Sequence, residues 1–141
     1  MAWKTIVVGY ARDHASAVAL QRAAEIAKAE SSSLIVTSIA PLMPTASAGR
    51  GVGPYDPADP PEAHKAALEH ARELLEQTHV QAEFDLEVGH PADAIVALAA
   101  KREADLIVVG SHERSFVDRL LHGSVSDAVS KHAHCDVLIV H

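Results

Sequence analysis

Two glycines and a group of hydroxyls carry the chemistry that this chain can offer. Gly110 closes the apolar run Leu106 to Val109, and Gly123-Ser124-Val125-Ser126 follows a polar stretch. A glycine where a strand stops lets backbone come close to a ligand. A Gly-Ser pair opening a helix offers backbone N–H groups and hydroxyls, the equipment that holds phosphate oxygens. Ser111, Ser115, Ser124 and Ser126 are candidate phosphate contacts, although capping and turn-making explain them equally well. His112 and His122 flank this stretch, with His14 across the expected crevice, and imidazole near neutrality can supply charge or move a proton. His132, His134 and Cys135 are zinc-competent side chains. Ligands from consecutive turns make a poor tetrahedron without a fourth, however, and Cys135 leads straight into an apolar run, so no metal site is assigned. No Gly-x-Ser-x-Gly elbow and no phosphate loop with its lysine is present, so no residue is assigned a catalytic role.

The elements that must position these groups alternate. Thr5 to Val8 is a β-branched run closed by Gly9. The segment after it carries Ala15, Val18, Ala19, Ala23, Ile26 and Ala27 at helical spacing, with Asp13 as N-cap. Leu34 to Ala40 reads as a second strand. Pro41 to Pro61 holds six of the seven prolines and no apolar period, so it reads as an excursion. Its run Gly49-Arg50-Gly51-Val52-Gly53 lacks the strand before and the helix after that a nucleotide fingerprint requires. Asp59-Pro60-Pro61-Glu62 predicts a helix start with Asp59 as cap and Pro60 as the first helical residue. Val80 to Val88 alternates apolar and acidic or amide residues with period two, which predicts an edge strand with one dry and one wet face. A helix from Pro91, the strand at Leu106, a helix from about Ser124 to His132 and the run Val137-Leu138-Ile139-Val140 complete the pattern.

Strands alternating with helices predict a doubly wound α/β fold, a five-stranded parallel sheet of order 3-2-1-4-5 with helices on both faces, in one domain over residues 1–141. Ligands in such sheets bind beyond the carboxyl ends of the strands at the switch point, here between the first and fourth strands. The last strand is then an edge with apolar residues on both faces, which predicts that a second copy of the chain covers it.

Composition narrows the function classes. With 12 basic and 19 acidic residues in 141, the formal charge is −7, and no basic cluster stands out. Unassisted nucleic-acid or anionic-membrane binding is not expected. One cysteine, no apolar run of membrane-spanning length and no signal-peptide pattern at MAWKTIVVG predict a cytoplasmic location.

The stretches TIVVGY, VGHPADAIVALAAKREADLIVVGSH and LLHGSVSDAVSKHAHCDVLIV resemble the universal stress proteins, over essentially the whole chain. The resemblance implies a Rossmann-like, adenine nucleotide alpha hydrolase-like fold and a homodimer joined through Val137, Leu138, Ile139 and Val140. It implies a regulatory module in stress responses rather than an efficient catalyst, and action through a protein partner is expected of such a module. It also implies a crevice for ATP or another adenine nucleotide, with Mg accompanying the nucleotide, formed by Gly9, Tyr10, Ala11, Ile39, Val109, Gly110, Glu113, Gly123, Ser124, Val125 and Ser126. ATP-binding members show a glycine, two residues, a second glycine, nine residues, then Gly-Ser or Gly-Thr. Here Gly110 and Gly123-Ser124 match, and Glu113 stands at the middle glycine. Ala11 stands where an aspartate is usual.

A carboxylate about 5 Å from a phosphate charge costs roughly 3 kcal/mol at an effective dielectric of 20. That is about a hundredfold in affinity. Losing the Ala11-position carboxylate costs roughly 1–3 kcal/mol more. The crevice is therefore expected to be weak or inactive toward ATP. Alternatives are an ATP-binding member with slow ATPase activity, or a module for a less anionic small ligand.

Overall fold

Aliphatic, β-branched runs without polar alternation make strands buried on both faces. Three such runs form the centre of the sheet: β1 (Thr5–Gly9), β2 (Ser33–Ala40) and β4 (Leu106–Gly110). The computed structural model of the protein describes residues 3–42, 56–111 and 125–141. In it Ile6, Val7, Val8, Ile35, Val36, Ile107 and Val108 are wholly buried. β3 (Ala82–Val88) and β5 (Asp136–Val140) are the edges. All neighbours pair in parallel, in the order β3-β2-β1-β4-β5. The doubly wound sheet expected from the alternation is the one observed.

Side chains alternate across the strands, so the core divides in two. On one face α1 (His14–Glu30) and α2 (Pro61–Glu76) pack over Ile6, Val8, Leu34, Val36 and Val108. On the other, α3 (Pro91–Lys101) and α4 (Val125–His132) pack over Val7, Ile35, Ile39, Ile107 and Val109.

Local chemistry sets the helix ends. Asp13 caps α1 as expected: its carboxylate accepts the Ser16 N–H at 2.7 Å, and the Ser16 hydroxyl returns a bond to the Asp13 backbone. Ser31 closes α1 in the left-handed conformation, with φ of 59°. The expected Asp59 cap is corrected. The N-cap of α2 is Pro60, without a side-chain bond, and Pro61 is the first helical residue. Asp59 instead accepts a bond from the ring of His64, a residue on the buried face of the helix.

β3 differs from its alternation in degree. It starts at Ala82, its apolar residues are only half-buried, and Val88 is exposed. As an edge strand it has a neighbour on one side only.

At the amino ends of the strands, Asp105 accepts the N–H groups of Lys4 and Thr5 at 2.8 and 2.9 Å. The Trp3 indole donates to Asp136 at 2.9 Å, and the Ser32 hydroxyl bonds the Trp3 carbonyl. These contacts tie the starts of β1, β4 and β5 together and leave the opposite ends for a site.

The glycines that end β1 and β4 are not equivalent. A Cβ on Gly9 would lie 3.2 Å from the terminal methyl of Ile95, which can move. A Cβ on Gly110 would lie 2.5 Å from the carbonyl oxygen of Ala15, part of the α1 backbone. Gly110→Ala should therefore force α1 and β4 apart, cost about 2–3 kcal/mol and lower the melting temperature by about 5–10 °C. Gly9→Ala should cost under about 1 kcal/mol. Thermal unfolding followed by circular dichroism compares the two.

Candidate functional site

The carboxyl ends of β1 and β4 lie side by side, as the switch-point argument requires. Gly9, Tyr10 and Ala11 come from one, Val109 and Gly110 from the other. Ile39 stands at the end of neighbouring β2, and Val125 and Ser126 open α4. Ile39, Val109 and Val125 belong to the same apolar cluster on the α3–α4 face, with Ser126 buried at the helix start. Glu113, Gly123 and Ser124 lie outside the described residues.

Tyr10 is placed differently from these apolar residues. It packs with the core on the α1–α2 face, and its N–H donates to the Thr37 carbonyl at 2.8 Å. Its hydroxyl sits 2.5 Å from Nδ1 of His70 on α2, with the two rings stacked. Burial pushes the phenol above its ordinary value, with Arg12 lowering and Asp13 raising it to lesser extents. Tyr10 therefore belongs to the packing of α2, on the sheet face opposite Ile39 and Val109.

The turn from β1 into α1 is closed by a residue that the sequence reading did not single out. The Ser16 hydroxyl accepts the N–H groups of Ala11 and Asp13 at 3.0 and 3.3 Å, while the Ser16 N–H is taken by Asp13. Arg12, between them, is exposed and holds a left-handed φ of 61°, a conformation that favours glycine. These three N–H groups point into the turn itself, and the Asp13 carboxylate sits at the helix start.

A second polar chain was also missed. Ser38, at the carboxyl end of β2, lies 2.6 Å from Nδ1 of His64, whose Nε2 lies 2.8 Å from Asp59. The residue types are those of a hydrolytic triad, but the accessibility is reversed. Ser38 is 1% exposed, whereas the Asp59 side chain is 47% exposed. A nucleophile has to reach its substrate. This chain instead pins the first turn of α2 to the sheet.

Burial, followed by the charges of Asp136 and Asp105, raises the Cys135 thiol above its ordinary value and keeps it from the thiolate form that binds metals. Among the described residues no three His, Cys, Asp or Glu side chains come together as a metal-ion site.

A parallel, doubly wound sheet with glycine-ended strands at its switch point defines an α/β protein of the kind whose ligands sit beyond the strand ends. Residues 2–141 match the universal stress protein family, and the chain belongs to it. Universal stress protein Rv1636 of Mycobacterium tuberculosis is 35% identical over 144 residues, covering 99% of this chain and 97% of that protein. Universal stress protein MJ0531 of Methanocaldococcus jannaschii is 39% identical over 79 residues, where the match covers 56% of this chain and 46% of the relative. Among solved structures, a universal stress protein in complex with cAMP superposes with a TM-score of 0.78 at 30% identity, covering 100% of this chain and 99% of that one. No helix among the described residues is long and apolar enough to cross a membrane.

The polar chain from Ser38 to Asp59 has a measurable consequence. His64→Ala removes the ring that joins a buried hydroxyl to the start of α2. The expected loss is about 1–3 kcal/mol. Urea unfolding should show a lower midpoint with an unchanged slope, and an unchanged midpoint would mean that the links carry no stability.

Proposed function

We propose that this protein is a homodimeric regulatory module of the universal stress type, whose crevice takes an adenine nucleotide of low phosphate charge in preference to Mg-ATP. The observation that carries this reading is the closed β1–α1 turn. Ser16 takes the amides of Ala11 and Asp13, Asp13 takes that of Ser16, and no carboxylate stands at Ala11. That side of the crevice offers an adenosine neither its usual acceptor nor these donors for a long phosphate chain. In sequence, Glu113 takes the place of the middle glycine of ATP-binding members, a substitution that disfavours a triphosphate. The apolar residues Ile39, Val109 and Val125 suit a flat base. The cAMP carried by the 30% identical neighbour is a ligand of this low-charge kind.

A slow ATPase is the rival reading, resting on Gly123-Ser124 and the neighbouring histidines. Thermal unfolding with cAMP, AMP or Mg-ATP separates the two. Ligand at a hundred times its dissociation constant adds about 2.7 kcal/mol, a rise of about 5–10 °C. The low-charge nucleotides should raise the melting temperature of the unaltered chain, and Mg-ATP should do so only in Ala11→Asp with Glu113→Gly. A larger shift with Mg-ATP in the unaltered chain, together with phosphate release lost on Ser124→Ala, would overturn the proposal.

The dimer reading rests on β5. Leu138 and Val140 pack toward the α1–α2 core, and Val137 and Ile139 toward the α3–α4 core, in a strand paired on one side only. Such an edge invites pairing. Leu138→Lys should give monomeric or insoluble protein by light scattering, and an unaltered soluble dimer would count against the interface.

A further inference from the structure

The carboxyl half of β3 carries polar groups that neither the fold nor the crevice accounts for. Glu83, Asp85 and Glu87 share the face of the sheet that holds Ile35, Thr37 and Ile39, because they are the register partners of those residues. Thr37 is fully buried, and its hydroxyl has no hydrogen-bond partner. Directly opposite, Asp85 has a buried carboxylate oxygen, Oδ2, that also has none. One position along the same face, the carboxyl group of Glu87 follows that of Asp85 and interacts with it. Two carboxyl groups so placed can hydrogen-bond each other only when one carries a proton, since an ionised carboxylate only accepts.

From this arrangement we propose that Asp85 and Glu87 form a one-proton carboxyl pair that makes β3 a proton-responsive edge of the sheet, its carboxyl half loosening from β2 when the proton is lost. The inference is independent of the nucleotide reading and uses none of the crevice residues except Ile39, the register partner of Glu87.

The surrounding charges define how the pair responds. On β3 itself Glu83 is occupied, accepting from Arg102 just beyond α3 at 2.6 Å. Lys101, in the last turn of α3, acts on Glu87 and favours its charged form. β2 contributes only the uncharged Ile35, Thr37 and Ile39. The hydrogen bond with Asp85, then burial, then the charge of Asp85 outweigh Lys101 and push Glu87 up from 4.5 to about 7.

The direction of the response follows from linkage. Between the ordinary glutamate value and about 7 the folded chain holds a proton that the unfolded chain has released. The stabilisation from the pair is therefore complete at the acid end of this window and is lost as pH rises through about 7. Above it two negative charges face each other beside the unsatisfied Thr37 hydroxyl. Relief comes as the carboxyl half of β3 moves off β2 and carries Glu87 toward Lys101 and solvent, which a sheet edge leaves open.

Carboxyl-carbon NMR of the full chain in EDTA, titrated from pH 4 to pH 9, tests this, with hydrogen exchange of the β3 amides expressed as protection factors. The expected result is a Glu87 transition near neutrality. Protection at Asp85 to Val88 should fall several-fold across it, while that of β1 stays level. In Asp85→Asn the Glu87 transition should return to the ordinary carboxylate range. In Glu87→Gln, which keeps a neutral donor toward Asp85, the fall in β3 protection should vanish. A Glu87 transition in the ordinary range in the unaltered chain would overturn the pair. A transition near neutrality with level β3 protection would overturn the switch. Millimolar Mg2+ or Ca2+ in place of EDTA should leave the transition where it is, and displacement to lower pH would replace the proton with a cation as the occupant.

Discussion

The close approach of β4 to α1 is the contact on which the carboxyl end of the sheet depends. With no side chain at Gly110, the strand end reaches the Ala15 carbonyl, and β4 can stand beside β1 while α1 still packs over both. On either side of that contact lie the closed turn from Ala11 to Asp13 and the apolar residues at the ends of β2 and β4. A glycine there serves the fold before it serves any ligand. The absence of a side chain at Gly110 is demanded by a helix backbone.

The polar groups around this end of the sheet are largely engaged with one another. Ser16 completes the β1–α1 turn, His70 meets the Tyr10 hydroxyl, and His64 joins Ser38 to Asp59. Buried hydroxyls that gain partners stop being costs and become constraints on position. Two of the three arrangements draw α2 onto the strand ends. A helix with an uncapped start is thus held by its flank, through side chains reaching into the sheet, where a capping residue would have held it by its first turn.

The two edges of the sheet are managed by different means. β5 is apolar on both faces and packs against both cores. β3 carries carboxylates on one face, which discourage pairing with another chain. Carboxylates so placed also repel one another, and the hydrogen bond between Asp85 and Glu87 relieves that repulsion with a proton, making the charge that guards the edge dependent on pH.

The fold could be read from the sequence because its signals are short-range. Branched runs ending in Gly9 and Gly110, the Asp13 cap and the alternation after Val80 each lie within a window of a few residues, and each element they predict is present. Their order then left few topologies for the sheet. Family membership was likewise legible, in the motifs around β1, β4 and β5. The neighbours of individual side chains were not. Asp59 carries every local mark of a helix cap, yet a histidine five residues on, drawn inward by a serine on another strand, takes its carboxylate. Tyr10 stands between two expected crevice residues in the chain and on the opposite side of the sheet from Ile39 and Val109 in space. Gly110 meets an alanine nearly a hundred positions away. Local pattern decides what an element is, because backbone propensity and periodicity act over one or two turns. Which groups share a proton, fill a space or satisfy a buried hydroxyl is decided by packing between distant segments, and only the tertiary structure sets that.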